Sequence, residues 1–217
     1  MDTIEAILTR YSVRNFSSKP VAKETVMKIL EVATHSPSGS NGQPWEVFVA
    51  SGAVIEKIRK TYQKRSQDAI GATARPAASN RPAHILERMN TLRNERLKFL
   101  GLDPADAASG KVFTEWSSRL FGVPVMVIVC MDKALSSNLD IGLFIQTMCI
   151  AAKGYGIDSL IATAFVSQQD ILRQELEIPE NLNIVTGIGL GYPDPNSISN
   201  TYRSSRRPIQ EVVRYKS

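Results

Sequence analysis

The fold class predicted for this chain is an α/β or α+β sandwich, and three observations predict it. Stretches with helical spacing of apolar residues alternate with short apolar runs of strand length. One run, Val125-Met126-Val127-Ile128-Val129-Cys130-Met131, is continuous, as expected of a strand buried on both faces. Leu139 to Lys153 reads as a helix that is apolar nearly all round, which places it at the centre of a core. At 217 residues the chain is long enough for one sizeable core, so a single domain over 1–217 is expected.

The elements follow in order. A first helix is predicted from Thr3 to Thr9, with Ile4, Ile7 and Leu8 on one face. A second runs from about Lys23 to His35, where Val26, Ile29, Leu30 and Ala33 keep the helical spacing and Pro37 marks the stop. Glu46 to Ala50 reads as a strand, and Val54 to Gln63 as a helix carrying Ile55 and Ile58. Ser66 to Ser117 differs in character: Pro76, Pro82, Pro104, many alanines and a charged helical stretch from Ala83 to Leu100 suggest a lid or arm. The Val125–Met131 strand comes next. Ser137-Asn138 then offers a cap for the apolar helix, which Gly154 and Gly156 end. Asp158 to Thr163 is a second buried strand, and Ser167-Gln168-Gln169-Asp170 approximates a capping box for a helix ending near Leu176. Asn183 to Leu190 is a further strand, followed by a polar loop from Asn196 to Ser205 and a tail from Arg206 to Tyr215.

Composition narrows the function classes. With 43% hydrophobic and 22% charged residues, the chain has the balance of a globular protein in water. The N-terminus lacks a basic region followed by an apolar stretch, and Leu139 to Ala152 is interrupted by Asp140 and Gln146, so neither a signal peptide nor a membrane span is expected. Cys130 and Cys149 lie in apolar segments and read as buried free thiols of a cytoplasmic protein. His35 and His84 have no partner at ligand spacing, so no metal site is expected. The net charge of +5 is spread along the chain and mixed with acids, as in Arg93-Asn94-Glu95-Arg96, which argues against nucleic acid.

Chemistry concentrates in three places. The loop Pro37-Ser38-Gly39-Ser40-Asn41-Gly42-Gln43-Pro44-Trp45 combines open backbone groups with short uncharged donors and acceptors, a set suited to a flat polar heterocycle. It also has the composition of an ordinary helix-to-strand connection. In Arg10-Tyr11-Ser12-Val13-Arg14, an extended backbone would put Arg10, Ser12 and Arg14 on one side as a fork for a phosphate; a solvated basic turn is the alternative. Arg203 to Arg207 forms a second basic cluster, either a flexible tail or, if it meets the first, part of the same pocket. No Walker loop, G-x-S-x-G elbow or H-E-x-x-H occurs. Gly187-Ile188-Gly189-Leu190-Gly191 has its third glycine too early, with no helix following, for a dinucleotide loop.

Arg10 to Phe16 followed by Pro37 to Trp45 resembles the nitroreductase family of flavoproteins. Leu120-Phe121-Gly122-Val123-Pro124, Gly142 to Gly156, Gly189 to Pro193 and Arg206 to Val213 resemble further segments of that family in the same order, so the likeness spans nearly the whole chain. It implies an α+β fold: a nitroreductase-like α/β/α sandwich with a small, mostly antiparallel sheet around a buried core helix, in an intertwined homodimer. It also implies FMN at the subunit interface, with Arg10, Ser12, Arg14 and Arg206 on its phosphate and ribityl chain. Pro37, Ser38, Gly39, Asn41 and Gln43 of the partner would border the ring, and Thr163 and Ala164 its reactive edge. Many members carry an acidic residue and a glycine where this chain has Thr163-Ala164.

The activity so implied is reduction of nitroaromatic, quinone or related aromatic acceptors by NAD(P)H in a ping-pong hydride-transfer cycle. FMN carries the chemistry, and no catalytic side chain is required. Trp116 or the Ala83–Leu100 helix would cover the ring, unless Trp116 and Phe113 are simply core or interface residues. A reductive dehalogenase of halogenated phenols and a non-catalytic flavin-binding module are the alternatives.

Overall fold

The computed structural model describes residues 1–68 and 81–217. Pro76 and the part of the expected arm between 69 and 80 lie outside the described residues. The helices are α1 (Thr3–Thr9), α2 (Lys23–Thr34), α3 (Gly52–Asp68), α4 (Ala83–Phe99), α5 (Lys111–Ser118), α6 (Asn138–Gly154), α7 (Gln169–Leu176) and α8 (Ile209–Val212). The strands are β1 (Glu46–Ser51), β2 (Val125–Asp132), β3 (Asp158–Ala162) and β4 (Leu182–Gly191), in one sheet of order β1-β2-β4-β3. All three pairings are antiparallel.

The apolar run of β2 is continuous because both faces of the sheet are covered. Met126, Ile128 and Cys130 pack with Ile55, Ile58, Tyr62 and Phe165 on one side. Val125, Val127, Val129 and Met131 pack with Ile29, Trp45, Phe144 and Met148 on the other. Helix α6 lies on this second side against α2. The result is helix on sheet on helix, as the α+β sandwich requires. Among the described residues no helix is long and apolar enough to cross a membrane.

Glycine spacing in β4 has a packing explanation. Gly187, Gly189 and Gly191 alternate with Ile188 and Leu190, so the glycines share one face. A Cβ at Gly189 would fall 2.8 Å from Val123 Cγ2 and 3.0 Å from Phe165 Cζ. One at Gly191 would fall 2.7 Å from Pro124 Cδ and 2.8 Å from Phe16 Cδ1. The bare strip lets three segments, around Phe16, Val123 and Phe165, approach the sheet closely.

Several sequence expectations are corrected. Ile4, Ile7 and Leu8 of α1 are exposed in the single chain (64%, 43% and 78%), and Ala6 is the residue that α1 buries. Helix α6 buries Ile141, Phe144, Met148 and Cys149 but leaves Leu139 and Leu143 open, so one of its apolar faces is uncovered. Helix α3 is longer than Val54–Gln63, and Ser137 makes no side-chain cap. Ser167 likewise fails to cap α7; its hydroxyl donates to the Ala164 carbonyl at 2.9 Å. The charged arm does contain the expected helix, now α4, and Trp116 on α5 packs against the core.

Gly191→Ala is expected to lower stability by about 1–3 kcal/mol, because the rigid Pro124 ring and Phe16 must give way to the added methyl. Urea denaturation of the two proteins, compared at constant m-value, measures it.

Candidate functional site

Asp2 opens the basic segment's approach by capping α1, its carboxylate accepting from the Ile4 amide at 2.7 Å. The chain then leaves the helix in extended form. The Val13 amide donates to the Ser159 carbonyl at 3.1 Å, so this segment runs beside β3, with Ser12 and Ser159 bridged in parallel. Val13 and Phe16 enter the core, while Arg10, Tyr11, Ser12, Arg14 and Asn15 stay half-buried.

Asn200 clamps this segment. Its Oδ1 accepts from the amides of Arg14 (3.0 Å) and Asn15 (3.3 Å), and its Nδ2 donates to the carbonyls of Asn15 (2.7 Å) and Asp194 (3.1 Å). The side chain is thereby fully used, which is why it is buried at 5% exposure. Next to it, Arg203 donates to the Asn200 carbonyl at 2.7 Å and lays its guanidinium 3.6 Å from the centre of the Tyr11 ring. Burial, and then Asp158, raises the Tyr11 pKa. The two basic clusters therefore meet, but through Arg203 rather than Arg206.

The sequence-predicted residues are distributed as follows. Arg10, Ser12 and Arg14 share the clamped segment, and Arg14 donates to the Ser12 carbonyl at 2.9 Å. Burial, then the neighbouring charge of Arg96, pushes the Arg14 pKa down to about 10. Arg206 instead turns back on its own tail, donating to the Ser204 carbonyl (3.1 Å) and hydroxyl (2.8 Å) and the Ser205 carbonyl (3.0 Å).

The loop holding Pro37, Ser38, Gly39, Asn41 and Gln43 is mostly exposed and sits at the start of α6, where the Gly39 amide donates to Asp140 Oδ1 at 3.3 Å. Ser38 Oγ accepts from the Gln43 amide at 3.0 Å. Ser40, Asn41 and Gln43 have φ values of 50°, 58° and 45°, a left-handed run that non-glycine residues seldom adopt. Trp45, stacked 4.9 Å from Phe144, anchors the end of the loop to α6. Among the described residues no hydrogen bond or ion pair joins this loop to the Arg10–Arg14 segment.

Thr163 and Ala164 begin a 3₁₀ turn, Thr163–Val166, at the end of β3. Tyr62 on α3 holds that turn, its hydroxyl donating to the Phe165 carbonyl at 2.8 Å. Thr163 is exposed and Ala164 leans on the core.

Sequence reasoning missed Asn200 and Tyr202, which lie in what reads as a polar loop, whereas Arg203 belongs to the second basic cluster that the sequence does mark. It also passed over Arg93 and Arg96, although their spacing of three puts them on one face of α4. Both come close to Arg14 around a cavity of about 430 Å³ whose walls include Phe113, Trp116 and Phe121. Burial raises the pKa of both thiols, Cys130 to about 11, so neither is a poised nucleophile. Among the described residues no cluster of His, Cys, Asp and Glu could hold a metal ion.

The chain matches the model of the Nitroreductase family over residues 7–192. It belongs to that family. Members of the nitroreductase family are NAD(P)H-dependent flavin oxidoreductases, and this chain is an enzyme of that class. It is 30% identical over 217 residues to the chloronitrobenzene nitroreductase of Comamonas testosteroni, covering 97% of this chain and 95% of that protein. It is also 30% identical to the 4-nitrobenzoate reductase of Nocardioides sp., covering 99% and 90% respectively. The crystal structure of the FMN-dependent nitroreductase NfnB from Mycobacterium smegmatis, in complex with NADPH, is similar with a TM-score of 0.88 at 25% identity, over 99% of this chain and 97% of that one.

Asn200→Ala is expected to lower stability by about 1–3 kcal/mol, since it leaves the amides of Arg14 and Asn15 without their acceptor in a half-buried place. Thermal and urea unfolding test this, and an unchanged midpoint would show that water replaces the clamp.

Proposed function

We propose that this nitroreductase uses FMN and NAD(P)H to reduce nitroaromatic, quinone or related aromatic acceptors. The observation that carries the reading is the clamped Arg10–Arg14 segment. It presents two guanidinium groups and a hydroxyl on a fixed backbone, and no carboxylate pairs with either arginine among the described residues. Such a set fits a phosphate monoester. The 37–43 loop, uncharged and with exposed backbone, fits the rim of a planar polar ring.

In this reading Arg10, Ser12, Arg14 and Arg206 hold the phosphate and ribityl chain. The bonds that now hold Arg206 are all to residues 204 and 205, so it can turn without disturbing the core. Pro37, Ser38, Gly39, Asn41 and Gln43 border the ring from a second subunit, and Thr163 and Ala164 flank it. FMN, when bound, supplies hydride chemistry between NAD(P)H and the acceptor. The protein's part is to position and to exclude water, and its two buried thiols take no part.

A homodimer is part of the same proposal. Ile4, Ile7 and Leu8 on α1 and Leu139 and Leu143 on α6 leave apolar surface open on two helices that pack together. The tail adds exposed Ile209, Val212 and Tyr215. A second copy covering these helices would place its 37–43 loop, which is tied to α6, against the neighbouring subunit.

Anaerobic titration of the FMN-loaded protein with NADPH and NADH should bleach the flavin absorbance, and an aromatic acceptor should restore it. Tight FMN binding without bleaching would make the protein a binding module, and failure to take up FMN would overturn the reading. A halogenated phenol in the acceptor panel tests the dehalogenase alternative. Arg10→Ala and Arg206→Ala should each weaken FMN binding roughly ten- to hundredfold, the loss of one charge-assisted contact. Leu143→Glu should yield monomer by light scattering and lose FMN with it; an FMN-replete monomer would separate cofactor binding from assembly.

A further inference from the structure

Arg14, Arg93 and Arg96 converge on the cavity of about 430 Å³ between the core and helices α4 and α5. Its size falls in the range of roughly 300–1,000 Å³ usual for small-ligand sites. Among the described residues no carboxylate forms an ion pair with any of the three. Arg96 Nε is buried and has no acceptor at all. Burial lowers the pKa of both Arg14 and Arg96, and Arg96 lowers that of Arg14 further, so the cluster opposes its own charge. Gly110 makes room for Arg93: a Cβ there would stand 2.9 Å from its Nη2. Unpaired, partly buried guanidiniums are costly, and an anion entering the cavity would relieve that cost.

The walls limit what the anion can be. Phe113 and Trp116 meet edge to face at 5.7 Å and 75°, and Phe121 closes the lining with Met89 and Leu92. A bare phosphate would leave these apolar surfaces unused. A planar ring bearing a carboxylate would use both, with the ring against Trp116 and the carboxylate on the guanidinium fork.

We propose that Arg93 and Arg96 form an anion subsite that selects aromatic carboxylates, with Trp116 and Phe113 as the ring's wall. That such a ligand serves as electron acceptor rests on the proposed function; its binding does not.

Benzoate cannot be reduced here and so reports binding alone. Titrated calorimetrically into the FMN-loaded protein, benzoate should bind at least about tenfold more tightly than benzamide, the factor expected for one charge-assisted pair. Inorganic phosphate should compete weakly. Arg93→Gln and Arg96→Gln should each abolish the preference for benzoate, and Arg93→Lys, which keeps the charge but loses the fork, should retain part of it. Trp116→Phe should remove the quenching of tryptophan fluorescence by benzoate. In turnover, the ratio of kcat/KM for 4-nitrobenzoate to that for nitrobenzene should fall about tenfold in the two Gln variants.

Equal affinity for benzoate and benzamide overturns the subsite, as does phosphate competing on equal terms. Loss of FMN from both Gln variants would assign the arginines to the cofactor and overturn it too. The two proposals fail separately. Benzoate selectivity without bleaching by NADPH sinks the function and keeps the subsite. Bleaching without benzoate selectivity does the reverse.

Discussion

Gly187, Gly189 and Gly191 bare one face of the C-terminal half of β4 beside the buried β2, and the segments that bear the candidate site rest on that strip. Phe165 lies on it at Gly189 and carries the 3₁₀ turn of Thr163 and Ala164 with it. Phe16 and Pro124 lie on it at Gly191, and Phe16 fixes the far end of the basic segment whose near end bridges β3 at Ser12. Close approach converts three loops into walls of the core. It costs backbone entropy at each glycine, and the contacts of Phe16 and Phe165, both buried, offset it.

Polar satisfaction completes what packing begins. A backbone segment lying over a core must find partners for its amides, and Asn200 supplies them from a distant part of the chain. That one residue also orders Arg203, whose guanidinium covers Tyr11. The Lys153–Asp158 ion pair, at 2.7 Å and largely shielded, adjoins the same ring, with Lys153 Nζ 5.5 Å from its centre. The neighbourhood is thus rigid in its backbone and rich in positive charge, the combination that favours a bound anion over a mobile one.

Some of this was legible in the sequence for definite reasons. A strand covered on both faces needs no alternation, so β2 announces itself as an unbroken apolar run. Helix α6 was equally visible, but its pattern does not say which apolar face the chain covers and which it leaves open. Helix α1 shows the same ambiguity, since amphipathic spacing marks a face without naming its partner. The glycines of β4 were read only by exclusion, because period two serves a strand face as well as it mimics a motif. Arg93 and Arg96 carry no signal of their own in a charged helix, because the groups around them, Arg14, Gly110, Trp116 and Tyr202, are distant in sequence and meet them only in three dimensions. The left-handed run at Ser40, Asn41 and Gln43 has no signal beyond a turn-prone composition, since none of these three is glycine.

Arg14 joins the two halves of the functional reading. Its backbone belongs to the segment clamped by Asn200, beside Arg10 and Ser12, while its guanidinium stands in the cavity with Arg93 and Arg96. A phosphate on one side and a carboxylate on the other would both lie in the field of this single group. Arg14 is protonated at neutral pH with or without them, so it would attract each anion independently, and the only direct term between the two would be their mutual repulsion. The attraction of each to the shared cation exceeds their mutual repulsion only while they stand farther from one another than from Arg14. A guanidinium with donors on separate edges meets that condition, and a lysine ammonium, a point charge, meets it less well. Arginine suits position 14 by geometry as much as by charge.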